Sequence, residues 1–121
     1  HAGVWREGEM SLPRLNRRLT LEKPVRVPDD AGGYVETWTP VGVVWAEVRA
    51  RTGREVAASG TVVSRVPYAI VVRGAPVGHP GRPAPEQRFR DGQRLFHIRS
   101  VAEHDANGRY LICISEEEVV T

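Results

Sequence analysis

Cysteine, lysine and aromatic residues are scarce in this chain, and no long stretch of it is uniformly apolar. The one cysteine, Cys113, excludes an intrachain disulfide framework and fits a reducing compartment. No run approaches the roughly 18 consecutive apolar residues that a membrane helix requires, so no membrane partner is expected. The opening HAGVWREGEM has no apolar stretch after a basic start, which excludes a signal peptide. Met10 is an alternative natural start, which would make residues 1–9 an upstream remnant. At 121 residues the length suits one domain with a modest core. The expected division is a flexible segment over 1–13 followed by a single domain over 14–121.

Catalytic signatures are equally scarce. None of His1, His79, His97 and His104 stands at a zinc-like spacing from another histidine or from Cys113. His97 falls in an alternating segment and reads as a structural imidazole. Cys113, between Ile112 and Ile114, reads as a buried small hydrophobe. No serine carries a nucleophile-elbow signature, and Gly53 and Gly60 belong to no phosphate-cradling motif. No catalytic residue, cofactor or metal site is expected, and the chain does not read as an enzyme.

What is present is arginine. Of 17 basic residues only Lys23 is a lysine, although the formal net charge is just +2. A GC-rich genome explains the bias without function. The functional reading is that the planar guanidinium suits interfaces, because it pairs carboxylates or phosphates with two bonds at once. Acids gather near the end as Glu116, Glu117 and Glu118, either a solvated run or one that meets a basic neighbour.

The hydrophobic pattern is that of strands. Residues 17–23 alternate Leu19 and Leu21 against polar neighbours. The run DDAGG (29–33) is turn chemistry. YVETW (34–38) and VVWAEVRAR (43–51) read as two strands joined through Thr39–Gly42. In the second, Val44, Ala46, Val48 and Ala50 share one face and Trp45, Glu47, Arg49 and Arg51 the other. Pro67 suits the start of a strand over 68–74, whose apolar run implies cover on both faces. Asp91-Gly92 and Asn107-Gly108 are hairpin signals, both of the kind that favours a tight type I′ turn, and make 86–90, 93–102 and 109–115 consecutive strands. Short strands at regular spacing imply a mainly β fold, a small antiparallel barrel or sandwich.

Two excursions interrupt the pattern. In RTGREVAASGTVVSRV (51–66), Thr52 and Glu55 match a capping box, which predicts a short helix through Val56–Ala58. Gly60 and the β-branched residues after it return the chain to extended structure. The second excursion, 74–87, is rich in Pro and Gly and reads as a mobile loop. A small barrel with many arginines is also the architecture of an OB-like or SH3-like nucleic-acid binder. Those folds stack bases on aromatic platforms, whereas Trp38, Trp45, Tyr34, Tyr68, Phe89, Phe96 and Tyr110 are scattered along the sequence. The low net charge also argues against a concentrated phosphate footprint.

The ordered set LNRRLTLE, GGYVETWTPVGVVWAEVRARTGREVAASG, PYAIVVRG and RFRDGQRLFHIRSVAEHDANGRYLICISEE resembles the phage head–tail joining family. The resemblance runs from about residue 14 to 118; residues 74–87 depart from it in length and proline content. It implies a small β-barrel with a long inserted loop, assembled with copies of itself as a ring that continues the portal channel. It further implies a portal or adaptor protein on the head side, a tail terminator or tail protein on the other, and non-specific double-stranded DNA passing through. Gene transfer agents, which are phage-like particles, share this architecture. By position the inserted loop corresponds to Arg51–Val66. Arg51, Arg54 and Arg65 then become candidates to face the channel or to pair with acids of an adjacent subunit. Thr52 and Glu55 would cap the loop, and Trp38, Trp45, Glu116, Glu117 and Glu118 are candidates for subunit or partner interfaces. Plain core packing is the alternative for both tryptophans.

Overall fold

Alternation along the chain builds seven antiparallel strands, and the computed structural model describes residues 12–51, 54–58 and 61–120. In chain order they are β1 (Arg17–Pro28), β2 (Tyr34–Ala50), β3 (Arg54–Ala58), β4 (Thr61–Arg73), β5 (Arg88–Asp91), β6 (Arg94–Glu103) and β7 (Tyr110–Val120). The sheet runs β2-β1-β5-β6-β7-β4-β3, and β2 also pairs with β4. That pairing closes six strands into a barrel and leaves β3 as a hairpin partner on the outer half of β4. Closure removes most open sheet edges. Of the expected flexible segment 1–13, residues 1–11 lie outside the described residues.

One residue in two points inward. Leu19 and Leu21 of β1, Ala46 of β2, Ile70 and Val72 of β4, Phe89 of β5, Phe96 and Ile98 of β6, and Leu111 and Cys113 of β7 form the core. Val71, between two core residues, is also buried, as the apolar run over 68–74 implies. Burial pushes the Cys113 thiol up to about 12, so it stays protonated and unreactive as a packed hydrophobe.

Four local expectations change. The two strands expected over 34–38 and 43–51 are one strand, β2, because Thr39–Gly42 continues its pairing with β1 instead of turning. Leu21 faces Gly42 and Glu22 faces Pro40, so Val41 is the extra residue of a β-bulge. Secondly, the helix predicted by the capping-box match is absent from 54–58. Those residues pair with β4, from Arg54↔Arg65 to Ala58↔Thr61, and local helix propensity yields to the ladder. Glu55 therefore stands in a strand, opposite Ser64, with no helix there to cap. Thr52 lies outside the described residues. Thirdly, Pro67 sits inside β4, not at its start. Its carbonyl accepts from the Arg51 amide at 2.8 Å. The N and O of a strand residue point to the same side, so the missing N–H falls where the chain leaves β2 for β3, and the β7 ladder is unbroken. Finally, the β5–β6 turn is centred on Gly92-Gln93, with Asp91 paired to Arg94. Of the two, only Gly92 has a positive φ, +64°, which suits a type II′ turn and not the expected I′. Asn107-Gly108 likewise forms no I′ turn, since only Gly108 has a positive φ and its amide donates to the Asp105 carbonyl at 3.1 Å in a longer loop.

Loop 74–87 is tied into the barrel. Pro83 is fully buried. Arg82 Nη1 donates to the Ala75 carbonyl at 2.8 Å, and the Ile98 amide donates to the Gln87 carbonyl at 3.0 Å. The β1–β2 ribbon, by contrast, runs past the barrel. β5 pairs with β1 only at Thr20–Glu22 and β4 pairs with β2 only at Ala46–Ala50. Residues 23–28 and 34–39 therefore form a two-stranded arm, closed by the Asp29 carboxylate, which accepts from the amides of Ala31 and Gly33.

Candidate interaction surfaces

Two tryptophans seven positions apart would face opposite ways in a regular strand. The bulge at Val41 reverses the alternation, so Trp38 and Trp45 both point to the outside of the barrel. They end in different surroundings. Trp38 is half-buried beneath Arg88, whose guanidinium lies 4.1 Å from the ring centre, and meets His97 edge-on at 6.0 Å. Trp45 is 54% exposed.

The surface around Trp38 is self-neutralised. Glu22 is 4% exposed and accepts from Arg88 Nε and Arg90 Nε, each at 2.7 Å. Burial pushes the Glu22 carboxyl upward, but the hydrogen bonds and charges of Arg90 and Arg88 outweigh it and hold the group below its usual range. Next to it His97 is held below the usual imidazole range by burial, then by the charges of Arg88 and Arg99, against the opposing pull of Glu118 and Glu116. The site favours a neutral ring.

The Glu116–Glu118 run continues the same pattern. Arg99 Nε donates to Glu116 at 3.1 Å, and Arg65 stands 3.7 Å from Glu118. Alternation sends Glu117 to the other face, where Arg94 grips it with Nε at 2.9 Å and Nη2 at 3.0 Å and also donates to the Tyr68 hydroxyl. All three glutamates thus have partners within the chain. Arg65 shares this arrangement, with its Nε buried and unpartnered. Arg51 is exposed at the exit of β2, and Arg54 begins β3, across from Arg65.

Around Trp45 the chemistry differs. Trp45 and the 47%-exposed Val43 stand with Leu15, Val44, Val72 and Arg73 around a groove of about 560 Å³. It opens where β4 ends and β2 continues without it. Pairing sets Arg18 beside Trp45 on β1, and Arg73 beside Tyr110 on β7, with the Arg73 guanidinium 5.8 Å from the Tyr110 ring centre. Continuing the register Ala46↔Val72 by one residue brings Trp45 and Arg73 to opposite sides of the seam. One outer row therefore reads Arg18, Trp45, Arg73, Tyr110. The sequence scatters these residues over 93 positions, and only the strand order brings them together. Neither Arg18 nor Arg73 has a carboxylate partner among the described residues.

No group of three or more His, Cys, Asp or Glu arranged to hold a metal occurs among the described residues. No helix of the described chain is long and apolar enough to cross a membrane.

Comparison with known proteins gives these surfaces a context. A chain from a solved structure titled "Virion of native gene transfer agent (GTA) particle" is similar at 55% identity and a TM-score of 0.83. The alignment covers 91% of this chain and 100% of that one. A search of curated proteins finds no match. The family model for phage head completion proteins matches residues 10–118, nearly the whole sequence. This chain belongs to the phage head completion protein family and is a structural protein related to the phage head.

Proposed function

We propose that the protein is a head–tail connector, an adaptor or stopper. In this reading it forms a ring beneath the portal, continues the DNA channel, closes the filled head and presents the tail attachment site. The observation that carries the reading is the family match across residues 10–118. The fold supports it. A closed barrel suits a rigid ring subunit, and in this reading the β3–β4 hairpin corresponds by position to the family's inserted loop. The similarity to a chain of a gene transfer agent virion supports a phage-like particle as the setting.

A portal or adaptor protein then lies on the head side and a tail terminator or tail protein on the other. Arg51 and Arg54, at the base of the hairpin, are the proposed channel-facing cations. Contacts with passing double-stranded DNA would be made through phosphates, weak and without sequence preference. Arg65 contributes less, because Glu118 already meets it. The test is deletion of the gene in its host and electron microscopy of the particles. DNA-filled or leaking heads without tails, beside free tails, are expected. Normal tailed particles would overturn the proposal.

A further inference from the structure

The tip of the β1–β2 arm has a composition that the rest of the barrel lacks. From Val27 to Glu36 it carries Asp29, Asp30 and Glu36 and no basic residue; Arg26, across the ladder from Glu36, is the nearest base. Asp29 closes the turn, which leaves Asp30 and Glu36 exposed to solvent. Val27, Tyr34 and Val35 are 43%, 66% and 51% exposed. Pairing of Val27 with Val35 and of Pro28 with Tyr34 gives the tip an apolar surface on both sides. It is an acidic, apolar projection.

The groove at Trp45 is its complement. It is lined by Val43, Trp45 and Leu15 and bordered by Arg18 and Arg73, which have no carboxylate partner among the described residues. The two features cannot meet within one molecule. Val35 and Trp45 lie on the same strand, ten residues apart. At about 3.3 Å per residue that separates them by roughly 33 Å along a paired strand that cannot fold back on itself.

From this complementarity we infer that the arm tip of one copy docks in the Trp45 groove of the next. The occupant of the groove is therefore a second copy of this chain. The Val27–Val35 face of the tip covers Trp45 and Val43, while Asp30 at the turn approaches Arg18 and Arg73. Tip and groove are different patches, so the contact is heterologous, the kind that closes into rings when the rotation between copies allows. It also leaves every intrachain ion pair of the opposite face intact. A few side chains on each side bury far less than the roughly 1,200 Å² of a stable interface. The contact thus forms when copies are already held side by side on a particle, and it sets their direction around the ring. The inference rests on the ring reading above and adds the two surfaces that build it.

Disulfide trapping tests it. Val35→Cys and Val43→Cys are introduced together and singly in the gene carried by the particle-producing host, and purified particles are oxidised before non-reducing electrophoresis. The native Cys113 is buried, which keeps the background low. The double variant is expected to give a ladder of covalent dimers, trimers and higher species, and each single variant only monomer. A ring visible by electron microscopy with no ladder from the double variant would overturn the inference and leave the connector reading standing. Dimers from Val35→Cys alone would overturn it in favour of a tip-to-tip contact. Particles that contain the protein without any ring would overturn both.

Discussion

Replacing Glu22 by alanine should destabilise the barrel more than any change at the other ion pairs. The carboxylate is 4% exposed and is the shared partner of Arg88 and Arg90, each at 2.7 Å. Removing it leaves the Arg88 guanidinium, whose side chain is only 15% exposed, packed on Trp38 without a counter-charge. Breaking a buried pair from one side costs about 3–5 kcal/mol. Arg90 is 40% exposed and water screens most of its loss, which points to the low end, about 3 kcal/mol. For a domain of this size that corresponds to a fall in Tm of roughly 12 °C, at about 4 °C per kcal/mol. The assay is thermal and urea unfolding followed by tryptophan fluorescence. The pH dependence provides an internal check. The folded-state pKa of Glu22 is lowered, so its contribution is present above the unfolded value near 4.5 and is lost as pH falls through the folded value. The gap between wild type and Glu22→Ala should therefore narrow below pH 4.5. A loss under about 1 kcal/mol at pH 7, or a gap that stays constant into acid, would refute the ion-pair argument.

His97 should make the protein acid-sensitive at milder pH. Its folded pKa is below the ordinary 6.5, so the unfolded chain takes up the proton first and stability falls as pH drops from about 6.5 toward the folded value. The urea midpoint of His97→Gln should change less between pH 7.5 and 5.5 than that of wild type; equal changes would sink the assignment. Gly74→Ala should destabilise by about 1–3 kcal/mol, because an added Cβ would stand 2.3 Å from the Gly108 carbonyl oxygen, which is backbone. Gly42→Ala, with nothing within 4 Å of the new Cβ, is the contrast and should leave the urea midpoint unchanged or slightly raised.

The barrel strands around the core were legible because their buried residues alternate with polar ones. Leu19 and Leu21, the Val44–Val48 face and the Leu111–Cys113 face all follow from period-two alternation. The misreadings have a common cause: a local signal was overruled by pairing with a distant strand. Pro40 and Gly42 looked like a turn, yet β1 carries the strand past them by bulging out Val41. Thr52-Gly53-Arg54-Glu55 looked like a helix cap, yet residues 54–58 pair with β4. Pro67 sits within β4 because its nitrogen faces the one stretch where no donor is required. The groove row was illegible for another reason. Arg18, Trp45, Arg73 and Tyr110 become neighbours only once the strand order is known.

The barrel sets its ion-paired face apart from the arm tip and groove inferred above to associate. Around Trp38 three glutamates meet arginines from neighbouring strands: Glu22 with Arg88 and Arg90, Glu116 with Arg99, Glu118 with Arg65. Such a face has little net charge to offer a partner, and its pairs cross-link β1 to β5, β6 to β7 and β4 to β7. The arm tip and the Trp45 groove carry the opposite composition, exposed hydrophobes beside charges left without intrachain partners among the described residues. Substitutions should divide accordingly. Trp45→Ala removes a ring that is 54% exposed, so unfolding should move by about 1–2 kcal/mol, less than for Glu22→Ala, while the inferred association is lost. Glu22→Ala should do the reverse, lowering Tm while particles assembled at low temperature keep their connector. In the connector reading proposed above, a subunit that folds before it assembles gains from this separation, because its buried ion pairs lie apart from the tip and groove inferred to meet a second copy.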